Sequence, residues 1–428
     1  MISLDTRQKD FQKRFAKLTG RGAGADPRIA RTAAEIVGDV KKNGDEALFR
    51  RTLELDKLSL TRQTARVSRA EFRRAAKEVP ARLKKAVTAA FINVTEFHAH
   101  QMERSWLVKN AKTRVGQLIR PLARVGLYVP GGKASYPSSV IMNAVPALVA
   151  GVGEIVVCSP AAGGVVNPAV LYAADLCGVS EFYKVGGAQA VAAMAYGTKT
   201  IKKVDKITGP GNAYVAEAKR LVFGAVDIDM IAGPSEICVI ADDSATPAWC
   251  AADILSQAEH DELALLVFIS PSQKMCDAVA REVLRQVVLL DRRRIAEKSV
   301  KNWFLNIKTR SVAEAMGLAN EMAPEHLQLV FRGAEKRLDD VPNAGAVFLG
   351  EWSPEALGDY MAGPNHVLPT SGSARFSSPL GVYDFLKRTS VIEYSKSAFL
   401  KVADDIAEFA AAEGLTAHAN SAKIRQKQ

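Results

Sequence analysis

From Arg124 onward the chain alternates short apolar runs with helices rich in small residues, and this alternation restricts its fold more than any other feature. The runs 125–129, 155–158, 181–185 and 204–207 read as strands. The stretches 138–150, 168–176, 188–196 and 213–222 read as helices, with Gly178, Gly197 and Gly224 placed where helices should stop. Units of this kind imply a parallel sheet covered by helices. A second α/β region follows, with strand 236–241, helix 247–259 and strand 264–269. Thr246 is placed to cap that helix and Pro247 to occupy its first position, where a missing N–H costs nothing.

Residues 1–124 read as mainly helical scaffold, with apolar spacing in 29–40, 45–53 and 82–97. The segment 351–378 is rich in Gly, Pro and Ser, as functional loops often are, and a site is expected there. The tail from 399 reads as a helix ending near Gly414 with a polar extension beyond it. At 428 residues, 48% hydrophobic and 24% charged, the chain suits a multidomain globular protein rather than a disordered or fibrous one.

The apolar stretch 140–157 is interrupted by Asn143, Pro146, Gly151, Gly153 and Glu154, so no membrane partner is expected. The net charge of +11 is spread over amphipathic stretches without interleaved aromatics, which argues against a nucleic-acid partner. Five cysteines without a CxxC pair, and a charged N-terminus unlike a secretory signal, place the protein in the cytoplasm and suggest core packing rather than disulfides.

Of the six histidines, His260, His326, His366 and His418 stand out by their neighbours. Gln257 and His260 are three apart at a predicted helix end, where both side chains converge and free carbonyls favour a cation. The plain alternative is a polar helix end. Glu325 and His326 follow Pro324 and offer two separate bases if the backbone turns there; otherwise they begin a capped surface helix. Asp359, after Gly358, can supply a carboxylate to a metal, and His418 stands near the C-terminus, where a histidine is more often a surface residue. Together Gln257, His260, Asp359 and His418 would give mixed nitrogen and oxygen ligation acceptable for zinc. His98 and His100 form an HxH pair in a helical, basic stretch and read as structural.

No GxGxxG follows a strand, so a standard Rossmann fingerprint is missing. Three glycine turns after predicted strands remain able to face phosphates: Tyr128-Val129-Pro130-Gly131-Gly132, Gly186-Gly187-Ala188-Gln189 and Gly209-Pro210-Gly211-Asn212. Ordinary βα turns are the alternative.

Taken in order, these motifs resemble the histidinol dehydrogenase family from about Val115 through His418, together with Gly233-Pro234-Ser235-Glu236, Asn365-His366-Val367-Leu368-Pro369-Thr370 and Glu413-Gly414-Leu415-Thr416-Ala417-His418. The first hundred residues resemble it only loosely. The resemblance implies one zinc ion per subunit, held by Gln257, His260, Asp359 and the partner subunit's His418 in a homodimer. It also implies Glu325 and His326 as the acid–base pair, Ser235 and Glu413 on substrate, and Tyr128, Gln189 and Asn212 lining an NAD site. Gln257, His260, His326, Asp359 and His418 would touch substrate as well.

The fold so implied is α/β, with two incomplete Rossmann-like parallel-sheet domains and small helical terminal segments. The expected divisions are 1–27 as an N-terminal helical segment, 28–127 plus 236–378 as the first domain, 128–235 as the NAD-binding domain, and 379–428 as a segment serving the partner's site. The implied activity is oxidation of L-histidinol through L-histidinal to L-histidine, the last steps of histidine biosynthesis. A relative acting on another small polyol or sulfonated alcohol is the alternative.

Overall fold

The computed structural model describes residues 1–20, 26–131 and 136–427. Its strands, in chain order, begin with β1 (Ile2–Asp5), β2 (Trp106–Lys109), β3 (Thr113–Pro121), β4 (Arg124–Tyr128), β5 (Glu154–Cys158), β6 (Glu181–Tyr183), β7 (Lys206–Thr208) and β8 (Asp227–Ile228). They continue with β9 (Glu236–Ala241), β10 (Leu265–Ser270), β11 (Phe304–Lys308), β12 (His326–Val330), β13 (Ala346–Leu349) and β14 (Leu386–Tyr394). The chain forms two compact units, Met1–Gln101 with Leu122–Phe385, and Met102–Pro121 with Leu386–Gln428.

The first unit holds two parallel sheets, as the βα alternation predicts. One has the order β6-β5-β4-β7-β8, the other β1-β11-β10-β9-β12-β13. In β9 every residue is buried, because helices cover both faces. Ile237 and Val239 pack into one core with Ile254 of the helix Pro247–Ala258 and Val279 of the helix Gln273–Val287. Cys238 and Ile240 face the opposite core, with Phe15 and Met316. Each fully buried Ile, Leu or Phe contributes about 1.5–3 kcal/mol, so a strand packed on two faces anchors the whole layer. The glycines expected to stop helices do so with positive φ: 65° at Gly178, 76° at Gly197 and 95° at Gly224.

In the first sheet the chain enters in the middle at β4 and builds outward in two directions; in the second, β1 takes one edge and the run from β9 onward builds outward both ways, so in each a crevice opens where the direction changes. In the first sheet that point lies between β4 and β7, in the second between β9 and β12.

The opening is less purely helical than its apolar spacing suggests. Ile2–Asp5 pairs in parallel with β11 as an edge strand. The second unit contains an antiparallel sheet, β14-β3-β2, with Leu386–Tyr394 paired along the full length of Thr113–Pro121. Its tail also departs from the expected polar extension, since Thr416–Gln426 is a further helix whose Ala419 packs against Ala407 and Ala410 of the helix Ala403–Ala412. Small residues let those two helices approach closely. No helix among the described residues is long and apolar enough to cross a membrane.

Candidate active site

The helix Val312–Met322 ends at Ala323 with a φ of +50°, and Pro324 then directs the chain into β12. His326 therefore begins β12, a strand paired on both sides, with Glu325 immediately before it, rather than a surface helix, and both residues are buried. One peptide neighbour holds them both. The Glu236 N–H donates to Glu325 Oε2 at 2.7 Å, and the Glu236 carbonyl lies 2.9 Å from His326 Nδ1. A carbonyl oxygen only accepts, so the ring proton resides on Nδ1 and Nε2 keeps its lone pair. That Nε2 is buried and has no hydrogen-bond partner among the described residues.

Burial drives the two groups apart. It pushes the Glu325 carboxyl well above the usual carboxylate range, an effect reinforced by Glu236, Asp359 and Glu355. It pulls His326 down to about 4 against the opposing pull of Asp359. A carboxyl raised and an imidazole lowered, side by side, are the mark of an acid–base pair tuned by environment. Ser235, half-buried, immediately precedes Glu236 and accepts from the Leu265 N–H through its carbonyl.

Gln257 lies in the last turn of Pro247–Ala258, and His260 follows just beyond it, its N–H bonded to the Gln257 carbonyl at 3.1 Å. The helix end foreseen from the spacing is present. Thr246 occupies the N-cap position, but its side chain makes no cap hydrogen bond. Gln257 Nε2 donates to Glu355 Oε1 at 2.9 Å. The same nitrogen is 3.1 Å from His326 Nδ1, but that atom is already a donor, so Glu355 is the acceptor that fixes the amide. Gln257 Oε1 is left buried and without a hydrogen-bond partner among the described residues.

Glu355 and Asp359 share the short helix Glu355–Tyr360, and their i,i+4 spacing sets both on one face. His326, Glu355 and Asp359 each offer a ligand atom within 4.8 Å of the others. Burial and the crowding of Asp359 hold the Glu355 carboxyl well above its ordinary range, while Ser256 Oγ donates to it at 2.5 Å. His260 is lowered by burial, with Asp359 and Glu259 opposing and His366 nearby. The loop carrying His366 is pinned by Asn365, whose Nδ2 reaches the Met142 carbonyl at 2.6 Å and buried His98 Nε2 at 3.3 Å. His98 is thus structural, as its helical setting suggested.

Among the described residues the carboxylate and imidazole donors that meet are those of His326, Glu355 and Asp359, a group that does not include His260. Nitrogen and oxygen donors without a thiol, with Gln257 Oε1 orphaned on the amide that Glu355 holds, are of the kind that fits zinc. Sequence reasoning missed Glu355. Its signal was the spacing Glu355-x-x-x-Asp359, hidden because Pro354 and Gly358 make the segment read as loop.

The three residues expected to line a dinucleotide site gather at carboxyl ends of the five-stranded sheet. Tyr128 ends β4, and its hydroxyl accepts the Gly187 N–H at 3.1 Å. Burial pushes that phenol up to about 12. Gln189, fully buried in the helix Gly187–Tyr196, donates to Asp56 Oδ2 at 3.1 Å, and its Oε1 has no hydrogen-bond partner among the described residues. Asn212 caps the helix Ala213–Val222 by accepting the Tyr214 and Val215 N–H groups. Tyr128 and Asn212 flank the switch point between β4 and β7, where ligands of such sheets bind. Gly132 and Lys133, which extend the first glycine turn, lie outside the described residues.

Glu413 and His418 belong to the second unit. Glu413 caps the C-terminus of the helix Ala403–Ala412, His418 lies in the first turn of Thr416–Gln426, and both are exposed.

The histidinol dehydrogenase family model matches residues 20–426, reaching well into the N-terminal region whose resemblance was only loose. The chain belongs to the histidinol dehydrogenase family. A relative so named from Caldanaerobacter subterraneus subsp. tengcongensis is 52% identical over 96% of each chain. One from Bacillus subtilis is 50% identical over 93% of each. The crystal structure of histidinol dehydrogenase from Elizabethkingia anophelis superposes with a TM-score of 0.93 at 36% identity, covering 100% of this chain and 98% of that one. Membership makes the protein an oxidoreductase, and its α/β fold is that of the family.

Proposed function

We propose that the protein oxidises L-histidinol through L-histidinal to L-histidine, passing two hydrides in turn to two NAD molecules, as the final steps of histidine biosynthesis. The observation that carries the reading is the pairing of His326, with a buried free lone pair on Nε2, and Glu325, a buried carboxyl with a raised pKa.

In the first step His326 Nε2 takes the hydroxyl proton as the carbinol carbon gives up a hydride, leaving the aldehyde. In the second, Glu325 takes a proton from water as that water adds to the aldehyde; the resulting hydrate anion gives up its hydride to become the acid, whose proton passes to solvent as the carboxylate forms. A carboxyl raised toward working pH is the stronger base when ionised. The backbone of Glu236 holds both bases side by side, one through its N–H and the other through its carbonyl.

Gln257, His260 and Asp359, with the partner subunit's His418, would hold zinc, and Ser235 and Glu413 would contact substrate in the homodimer. Bound there, zinc supplies a template for the substrate's imidazole and amino group without redox change. NAD would be held in the 128–235 domain by Tyr128, Gln189 and Asn212 and would supply the hydride acceptor.

The test is steady-state NADH formation by the zinc-loaded enzyme with L-histidinol, a small polyol and a sulfonated alcohol in parallel. Turnover of L-histidinol with a far higher kcat/KM than the other two is expected. Preference for either rival alcohol would overturn the assignment.

A further inference from the structure

Beyond β7 the chain makes the turn Gly209-Pro210-Gly211-Asn212, and a buried ion pair grips its first residue from both sides. Lys219 of the helix Ala213–Val222 pairs with the Asp229 carboxylate, the two side chains being only 3% and 1% exposed. Lys219 Nζ donates to the Gly209 carbonyl at 3.0 Å, and Asp229 Oδ2 accepts the Gly209 N–H at 2.8 Å. Gly209 itself has a φ of +112°, and a Cβ there would sit 2.1 Å from the Tyr128 carbonyl oxygen. Glycine alone fits, and the pair satisfies both polar groups of the residue in this uncommon conformation.

Stability does not explain such an arrangement. Removing two charges from water costs several kcal/mol per ion, roughly, and well-packed apolar replacements of buried pairs are often as stable or more so. What the pair contributes is geometry. Three residues on, Asn212 has its side-chain carbonyl committed to the helix cap, which leaves its amide N–H groups for a ligand. Lys219 is neutralised and sealed in, so it is not itself a phosphate contact.

We propose that the Lys219–Asp229 ion pair is a positioning device that sets the affinity for the dinucleotide by fixing the turn bearing Asn212. This rests on the reading of that turn as part of the NAD site. The experiment uses three variants of the full-length zinc-loaded enzyme: Asp229→Asn, the double variant Lys219→Met/Asp229→Leu, and Asn212→Ala as a control for the site itself. Thermal midpoint, kcat and the KM values for NAD and L-histidinol are read for each.

For Asp229→Asn the KM for NAD should rise about ten- to a hundredfold, as misplacing a binding group by an ångström does, while that for L-histidinol stays within about twofold. The double variant removes the uncompensated charge that Asp229→Asn leaves on Lys219, so its thermal midpoint should rise above that of Asp229→Asn, yet it should keep the raised KM for NAD. Recovery of NAD affinity together with stability would reduce the pair to a structural element and overturn the proposal. If Asn212→Ala raises the KM for NAD and neither ion-pair variant does, the proposal alone fails. If Asn212→Ala leaves it unchanged, the dinucleotide reading of the turn has failed first.

Discussion

Replacing Glu325 by Gln should stabilise the metal-free protein while abolishing its activity, and the stabilisation should grow with pH. The carboxyl is buried, its charged neighbours include Glu236, Asp359 and Glu355, and burial raises its pKa well above the ordinary value. A carboxyl raised on folding gives stability that is fully present below its unfolded pKa and is lost as pH rises toward its folded one. Glutamine keeps an oxygen to accept the Glu236 N–H, now 2.7 Å from Glu325 Oε2, and has no proton to lose. Within that window the wild type therefore loses about 1.4 kcal/mol per pH unit relative to the variant. If the folded pKa exceeds the upper pH, the gap widens by about 2.7 kcal/mol between about pH 5 and pH 7. Chemical unfolding of chelator-treated protein, followed by circular dichroism at both pH values, measures it. An equal gap at the two pH values would refute the claim that the buried carboxyl carries a raised pKa.

Other outcomes follow from the same geometry. Glu355→Leu removes the acceptor that orients the Gln257 amide, so zinc should be held about ten- to a hundredfold more weakly in competition with a chelator, as loss of such a supporting partner usually does. Gly209→Ala meets the Tyr128 carbonyl at 2.1 Å and should lower the thermal midpoint and NAD affinity together. Cys→Ser changes at Cys158, Cys177, Cys238, Cys250 and Cys276 should preserve activity, because all five thiols are free, buried and raised by burial, and no step requires a thiolate. A steady-state assay of each variant checks this.

What the sequence reveals follows the range of the forces involved. The βα units after Arg124 are local, so apolar periodicity and the helix-ending glycines mark them closely, and the Gln257–His260 spacing at a helix end survives into the structure. The antiparallel sheet does not announce itself. Thr113–Pro121, mostly half-buried, and Leu386–Tyr394, mostly exposed, are distant in sequence, so neither shows a clean buried face. Ile2–Asp5 is too short to display a period and becomes a strand only because β11 offers an open edge.

Within the site, Glu325 and His326 looked equally suited to a surface helix start, because what makes them a buried pair is the Glu236 peptide from another strand. Their position is also unusual. They stand at the amino ends of β12 and its neighbour β9, whereas Tyr128 and Asn212 mark carboxyl ends in the other sheet. Nothing in local sequence separates those two cases.

The most direct test of the proposed reaction is the stoichiometry of NADH formed from limiting L-histidinol, with the metal removed by chelation and then restored with zinc. Two NADH per L-histidinol, lost on chelation and recovered with zinc, is the predicted result. One NADH with the aldehyde accumulating, or none from folded, zinc-loaded protein, would contradict it.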